Sequence, residues 1–393
     1  MSRYRLTPTL DQMKILRGHC SHARFVWNLA VEQQSWRRPG RACAPGYYKQ
    51  TVQLTEARKE NGWLRGGSQM VQQQALRDFD QAMRNFFAGT HRRPGWRKAN
   101  RDEGFRIVAM KPGHVRRVGR SAGQVWIPKA GWVRFRWSRA VPTAKSYRVT
   151  ADPAGRWHIA FTAVPDPIPA AGTGEVVGLD RGVAVSAALS TGEMLSVPPL
   201  SPRRVARLRR LQRKLTRARK GSNRRRKVKV AIARLKVHDT DARKDWVEKT
   251  STDLARRFDV IRVEDLRISS MTRSARGTPN NPGRNVRQKS GLNREILRSG
   301  WGLLVRRLED KAPGRVERVS PAFTSQRCSA CRCIAAESRK SQALFACVTC
   351  GYVCNADVNA ARNIAAGHAV TARGGDRAAG PANREPHLLL QSA

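Results

Sequence analysis

Apolar residues recur with a helical period over roughly the first ninety positions, and beyond about residue 100 they alternate or cluster as strands do. RYRLTP is a short strand stopped by Pro8. Met13, Leu16, Phe25 and Leu29 then mark a helix over 11–36, ended by RRPGRACAPG. Two more helices are predicted over 47–59 and 68–87, the latter striped by Val71, Ala75, Phe79, Met83 and Phe87. The texture changes at HRRPGWRKANRDEGFRI. QVWIPKAGWVRFRW and YRVTADPAGRWHIAFTAV read as strands, the second a hairpin about 152–155. PDPIPAAGTG, 165–174, is a linker and the expected domain boundary.

Beyond it, EVVGLDRGVAVSAALSTGEMLSV predicts three short strands. Leu208, Leu211 and Leu215, then Val230, Ala233 and Leu235, line the two arms of a helical hairpin turning at GSNRRRK. A separate helix over 246–256, an apolar strand over 260–263 and a Gly/Asn/Arg-rich loop over 269–290 follow. That loop is expected to be mobile and close to substrate. One helix carries Ile296, Leu297, Trp301, Leu304 and Leu308, and GRVERVSP is the next strand. An alanine-rich helix begins at Asp357, and the residues after Ala365 read as a disordered tail.

Charge narrows what such a chain binds. Among 393 residues, 76 Lys and Arg face 29 Asp and Glu, a formal charge of +47. Self-repulsion of that size is relieved by a polyanion, and nucleic acid is the simplest one. No apolar run of about 18 residues and no signal-peptide core points to a membrane. The hairpin between residues 203 and 244 holds 19 Lys or Arg with almost no acids, as a phosphate-binding surface would. Trp126, Trp132, Trp137 and Trp157 sit among cations. Some must fill the core of a small barrel, and a minority is left to stack on bases.

Two constellations carry chemistry. Cys328-x-x-Cys331, fifteen residues, then Cys347-x-x-Cys350 supplies four thiolates, the donor set of a closed, structural tetrahedral Zn²⁺ site. Cys333 and Cys354 are spare, and Cys20 and Cys43 are scattered. The second constellation is acidic. Asp180 and Glu264 each end a buried apolar run, where an unpartnered carboxylate is costly, and Asp357 opens a helix. If the three converge, they can hold Mg²⁺, and two such ions can clamp the attacking and leaving oxygens of a phosphodiester.

GLDRGV, VEDL and, above all, TSQRCSAC…FACVTCGYVCNADVNAARNI resemble the TnpB family, the OrfB-type proteins of transposons related to compact type V CRISPR nucleases. YRLTPTLDQ…RFVWNLAVEQ is similar to its opening. The resemblance spans about residues 1–366. It implies an α/β plus all-β architecture: a RuvC nuclease of RNase H-like fold with an inserted zinc finger, preceded by a wedge β-barrel carrying a helical recognition domain. By this resemblance the barrel takes 1–10 and 90–168, and the recognition domain 11–89. The nuclease takes 175–320 with the basic hairpin at 202–245, the zinc finger 321–354 and the final nuclease helix 355–366, leaving 367–393 as tail.

The resemblance further implies an RNA-guided DNA endonuclease that cuts double-stranded DNA beside a short target-adjacent motif. Asp180, Glu264 and Asp357 would be its catalytic acids on two Mg²⁺, and Cys328, Cys331, Cys347 and Cys350 the ligands of one structural Zn²⁺. Asp265 neighbours Glu264 and would face the other way on a regular strand; the family match selects Glu264. The partners are a guide RNA and target DNA, with no membrane, in a monomer or weak dimer of the bacterial-type cytoplasm. A guided DNA-binding repressor without cleavage and an RNA-independent transposase are the competing functions. Arg332 departs from the Gly of many relatives, a change that could alter the knuckle turn, though Arg can adopt alternatives that avoid a positive φ.

Overall fold

The computed structural model describes residues 2–36, 44–101 and 103–367. The breaker after the first helix lies largely outside these residues, as do Cys43 and the tail from residue 368 on. The chain forms two units, one of Met1–Asp166 and Leu200–Asp241, the other of Pro167–Pro199 and Ala242–Ala393.

In the first unit, β1 (Ser2–Arg5) leads into α1 (Leu10–Ser35). Thr9 Oγ1 accepts the Gln12 N–H while Gln12 Oε1 accepts the Thr9 N–H, a reciprocal cap that fixes where the helix starts. α2 (Tyr47–Glu60), the short α3 (Gly62–Gly66) and α4 (Gln69–Phe87) follow, and the sequence pattern missed α3. α1 packs on α4, Trp27 meeting Phe79 edge-on, and Leu16, Cys20, Ala23, Val26 and Ala30 share one buried core with Val71 and Ala75. This choice of face leaves the expected stripe residues Phe25, Leu29 and Phe87 exposed.

The strands that follow are β2 (Gly104–Val108), β3 (Val115–Arg117), β4 (Ala122–Ile127), β5 (Gly131–Arg136), β6 (Ser146–Ala151) and β7 (Trp157–Phe161). They make one antiparallel sheet of order β1-β7-β6-β2 and another of order β3-β4-β5, bridged at Leu6–Phe135. Tyr4, Phe135, Tyr147 and Phe161 fill the space between the sheets, each edge-on to at least one of the others. Trp157 joins this core, whereas Trp126 remains 38% exposed.

The second unit is built on β8 (Val176–Asp180), β9 (Ala187–Leu189) and β10 (Met194–Leu195). The basic helices α5 (Pro202–Arg217) and α6 (Asn223–Arg257) come next in the chain, α5 and the part of α6 up to Asp241 being counted with the first unit; β11 (Val260–Glu264) and α7 (Ile268–Met271) follow. α8 (Val286–Ser299), α9 (Trp301–Lys311) and β12 (Val316–Val319) complete the sheet and its helices. Sheet order is β10-β9-β8-β11-β12, with β8, β11 and β12 parallel and β9 and β10 antiparallel. Val177, Leu179, Ile261 and Val263 are fully buried, as strands covered on both faces require.

Three expectations need correction. The helix over 246–256 is not separate: α6 runs unbroken for 35 residues, because no Gly or Pro interrupts it. The helix through Ile296 and Leu308 is instead two, broken at Gly300 with φ +74, and Leu297 is exposed. The loop over 269–290 holds α7 and the start of α8 at its ends and a Gly277–Pro282 bridge between them.

A small two-stranded sheet, β13 (Leu344–Ala346) and β14 (Val353–Asn355), leads to α10 (Ala356–Ala365). Asn355 Oδ1 caps this helix by accepting the N–H groups of Asp357 and Val358. α10 lies directly on β8 at Gly178, where a Cβ would overlap the Ala361 carbonyl oxygen and the Ala365 nitrogen. Backbone cannot yield as a flexible side chain can, so Gly178→Ala should cost about 3 kcal/mol or more. A thermal melt checks this, with little change expected for Gly291→Ala, whose added methyl meets open space.

Candidate active site and cysteine centre

Asp180 closes β8 and Glu264 closes β11, neighbouring parallel strands, so both carboxylates emerge at the same sheet edge. Asp357, in the first turn of α10, is brought to them by the seat of that helix on β8. Burial first, then the charges of Glu264 and Asp357, raise the Asp180 carboxyl to about 7. Burial also raises Glu264 and Asp357, against the pull of Arg339 on both. The three acids expected from sequence therefore share one electrostatic site. Asp265 does not join them: it is exposed and paired with Arg318 at 3.1 Å, while Glu264 is 8% exposed.

Two residues not anticipated from sequence complete the surroundings. Thr324 Oγ1 donates to Glu264 Oε1 at 2.6 Å and fixes that carboxylate. Arg339 Nη2 lies 3.6 Å from Asp357 Oδ1, a cation delivered from the segment between the two cysteine pairs. Arg339 had no signal in the sequence, being one of 76 cations, whereas Thr324 opens the TSQRCSAC stretch but nothing there marked it as a partner of Glu264.

The cysteines converge fully. Cys328 Sγ lies 3.7 Å from Cys350 Sγ, and Cys331 Sγ 3.6 Å from Cys347 Sγ. Zn–S bonds of about 2.3 Å in a tetrahedron put sulfurs about 3.8 Å apart, so the quartet fits Zn²⁺ and leaves no position open for chemistry. The amides of Cys350 and Thr349 help hold the Cys347 thiol down at about 6, in thiolate form. Among the described residues this is the one set of metal-type groups whose ligand atoms all lie within 4.8 Å of one another.

The two knuckles repeat one geometry. Arg332 N–H donates to the Cys328 carbonyl, as Gly351 N–H does to that of Cys347. Gly351 has φ +71 and Arg332 φ +66, so Arg332 neither alters the knuckle turn nor takes an alternative that avoids a positive φ. The knuckle turn requires the left-handed conformation whichever residue stands there. Cys333 sits outside the quartet, its sulfur accepting from Thr349 Oγ1.

Hydrogen bonds tie this centre to the acids. Asn359 of α10 accepts the Ser329 N–H and donates to the Arg327 carbonyl, and Asn363 donates to the carbonyls of Thr324 and Arg327. The helix that carries Asp357 is thus fastened to the first cysteine knuckle, and the same segment supplies Thr324 to Glu264.

A nuclease-type sheet with acids at its strand ends and a cysteine centre before its last helix defines a compact class of effector. The fold matches a cryo-EM structure of the Cas12f1-sgRNA-target DNA complex with a TM-score of 0.55 at 14% identity, covering 91% of this chain and 83% of that one. Family profiles match in three places: a helix-turn-helix domain over residues 2–41, OrfB_IS605 ("Probable transposase") over 158–275, and the Cas12f1-like TNB domain over 301–364. The chain is 37% identical to "Putative RNA-guided DNA endonuclease InsQ" of Escherichia coli (strain K12) over 99% of its length and 98% of that protein's. It is 31% identical to "Putative RNA-guided DNA endonuclease" of Streptomyces pristinaespiralis, over 95% and 90%. The chain belongs to the TnpB (OrfB-type) family.

Purified protein should carry about one zinc per chain by metal analysis. Cys347→Ser should lose it and, through Asn359 and Asn363, lower nuclease activity along with the metal. Full zinc and full activity in this variant would refute a structural zinc here. Thr324→Val, which keeps the shape and removes the donor to Glu264, should reduce cleavage roughly 10–100-fold while zinc content stays constant.

Proposed function

We propose that this protein is an RNA-guided DNA endonuclease with a RuvC-type site formed by Asp180, Glu264 and Asp357. The observation that carries this reading is the convergence of three acids from two paired strand ends and the helix seated on them, with the Asp180 carboxyl raised by burial and by the charges of Glu264 and Asp357. An all-oxygen set of this kind suits Mg²⁺. Bound Mg²⁺, as a pair, would supply a water of lowered pKa and neutralise charge on the phosphodiester. Asp180 and Glu264 orient from the rigid ends of paired strands, and Thr324 keeps one oxygen of Glu264 engaged so the other is presented inward. Arg339, freed from Asp357, is placed to meet a phosphate oxygen.

The cationic surfaces fit a guide and its target. α5 buries none of its side chains, which leaves its Arg and Lys residues for phosphates. In the β3-β4-β5 sheet, Arg116 of β3 stacks 4.1 Å over Trp132 of β5, and Trp126 of β4 is exposed beside it, a pairing that suits bases and backbone together. In such a system base pairing reads sequence and the protein reads shape. We assign residues 1–10 and 90–168 to the wedge β-barrel, 11–89 to recognition, 175–320 to the RuvC nuclease with its hairpin at 202–245, 321–354 to the zinc finger and 355–366 to the last nuclease helix. The protein acts as a monomer or weak dimer in the cytoplasm, and no helix among the described residues is long and apolar enough to cross a membrane.

The test is cleavage of target DNA in Mg²⁺ with and without the RNA that copurifies with the protein. Asp180→Ala should abolish guided cutting and leave guided binding within a few-fold of wild type. Adding Glu264→Ala should change little more, since residues acting as a unit are not additive. Cutting that survives Asp180→Ala would move the catalytic centre elsewhere, and cutting that needs no RNA would favour the transposase reading. Tight guided binding by a wild type that never cuts would favour the repressor.

A further inference from the structure

Arg181 directly follows Asp180, yet it is only 6% exposed, in a chain whose cations mostly face solvent. Its position relative to the sheet explains where it is held. The β8–β11 ladder ends at Leu179–Val263, and one residue further on Arg181 Nη2–H donates to the Glu264 carbonyl oxygen. That oxygen also accepts the Leu266 N–H, so the chain turn after the catalytic strand is gathered at one point. On the other side, Trp301 Nε1–H donates to the Gly182 carbonyl at 3.2 Å and fixes the backbone just beyond Arg181.

The guanidinium is not satisfied by this bond. Arg181 Nε is buried with no hydrogen-bond partner. Burying a cation and leaving one of its donors unpaired is expensive. A Lys or Arg in such a place is retained only where opposing charge repays it. Here the charges acting on it are the carboxylates of Glu264, Asp180 and Asp265, which favour the cation, and Arg318, which opposes it. Two of those three carboxylates belong to the proposed metal site. Arg339 is the other cation at the site, but it arrives from a separate loop and remains 29% exposed, free to leave.

We infer that Arg181 is a positioning residue and fixed counter-cation, holding Asp180 and Glu264 together when no divalent ion is bound and tethering the Glu264 backbone in register for it. The division of labour is between a cation that stays and one that can be exchanged. Arg181 is rooted in the strand end and bonded to backbone, so it remains when metal or phosphate arrives. It never needs to touch either. Side-chain charge at 181 therefore matters most to the metal-free protein, and this is where a charge role and a mere packing role diverge. The inference rests on the metal-site reading of the three acids.

The experiment is a set of thermal melts of the full chain in EDTA and in saturating Mg²⁺, with Mn²⁺ binding to wild type followed by electron paramagnetic resonance. Arg181→Met, of similar length and without charge, should lower the EDTA melting temperature by about 10 °C. Mg²⁺ should recover at least half of that loss, and Arg181→Lys should lie closer to wild type than Arg181→Met. Asp357→Asn, which removes one of the crowded charges, should stabilise Arg181→Met clearly more than it stabilises wild type. If Arg181→Met alone fails to fold, a folded Arg181→Met/Asp357→Asn double variant gives the same support, and an unfolded one overturns the inference. Equal losses in EDTA and Mg²⁺ with no coupling to Asp357→Asn also overturn it and leave Arg181 a packing residue only. A wild type that neither binds Mn²⁺ nor gains stability from Mg²⁺ overturns the metal-site reading itself, and this inference with it.

Discussion

Like charges resist being held together, and this chain holds three carboxylates at one sheet edge. Burial raises the proton affinity of all three, and the charges of Glu264 and Asp357 raise that of Asp180 further. Much of the second unit reads as an answer to that repulsion. Parallel β8 and β11 deliver two acids on rigid backbone, and β12 pairs with β11 on its other side. α10 is pressed so close on β8 that only glycine fits at 178, which fixes how far Asp357 can retreat. A threonine, two arginines and the two asparagines of α10 complete the restraint without adding further negative charge.

The cysteine centre takes part in this restraint without taking part in chemistry. Its four thiols close around a tetrahedral site and leave no coordination position for substrate. What it supplies is stiffness at the point where the chain would otherwise be loosest, a run of turns and three-residue strands between β12 and α10. Metal-driven folding of a short loop-rich segment is a common use of zinc, because such a segment cannot bury enough apolar surface to order itself. Here the ordered segment hands its rigidity to Asp357 through Asn359 and to Glu264 through Thr324.

Much of this was legible in the sequence, for identifiable reasons. Asp180 and Glu264 stood out because each ended an apolar run that could only be a buried strand, and the cysteine spacing admitted few readings. The basic hairpin was visible from its leucine and valine spacing. Local pattern could not decide continuity: α6 runs through where two helices were expected because nothing breaks it, while Gly300 breaks a helix whose apolar period continues across it. Nor could it show which face of α1 is inside, since Leu16, Cys20, Ala23, Val26 and Ala30 are buried there while Phe25 and Leu29 are left exposed. Arg332 was misjudged because the cost of a left-handed residue was weighed without the knuckle that imposes it.

The arginines were the least legible of all. With 76 cations in the chain, neither Arg181 nor Arg339 differs in sequence from those left to bind phosphate. Burial distinguishes one and its carboxylate partner the other, and both are properties of the folded state alone. The distinction has a functional edge. A cation in water lends affinity for nucleic acid that salt screens away, whereas one held in a low-dielectric pocket acts at full strength on a few neighbours and is screened much less. This chain spends most of its positive charge in the first way. At the acidic edge it sets two arginines in the second, Arg339 beside Asp357 on a partly exposed loop and Arg181 buried and bonded to the Glu264 backbone, where each offsets the repulsion of the crowded carboxylates.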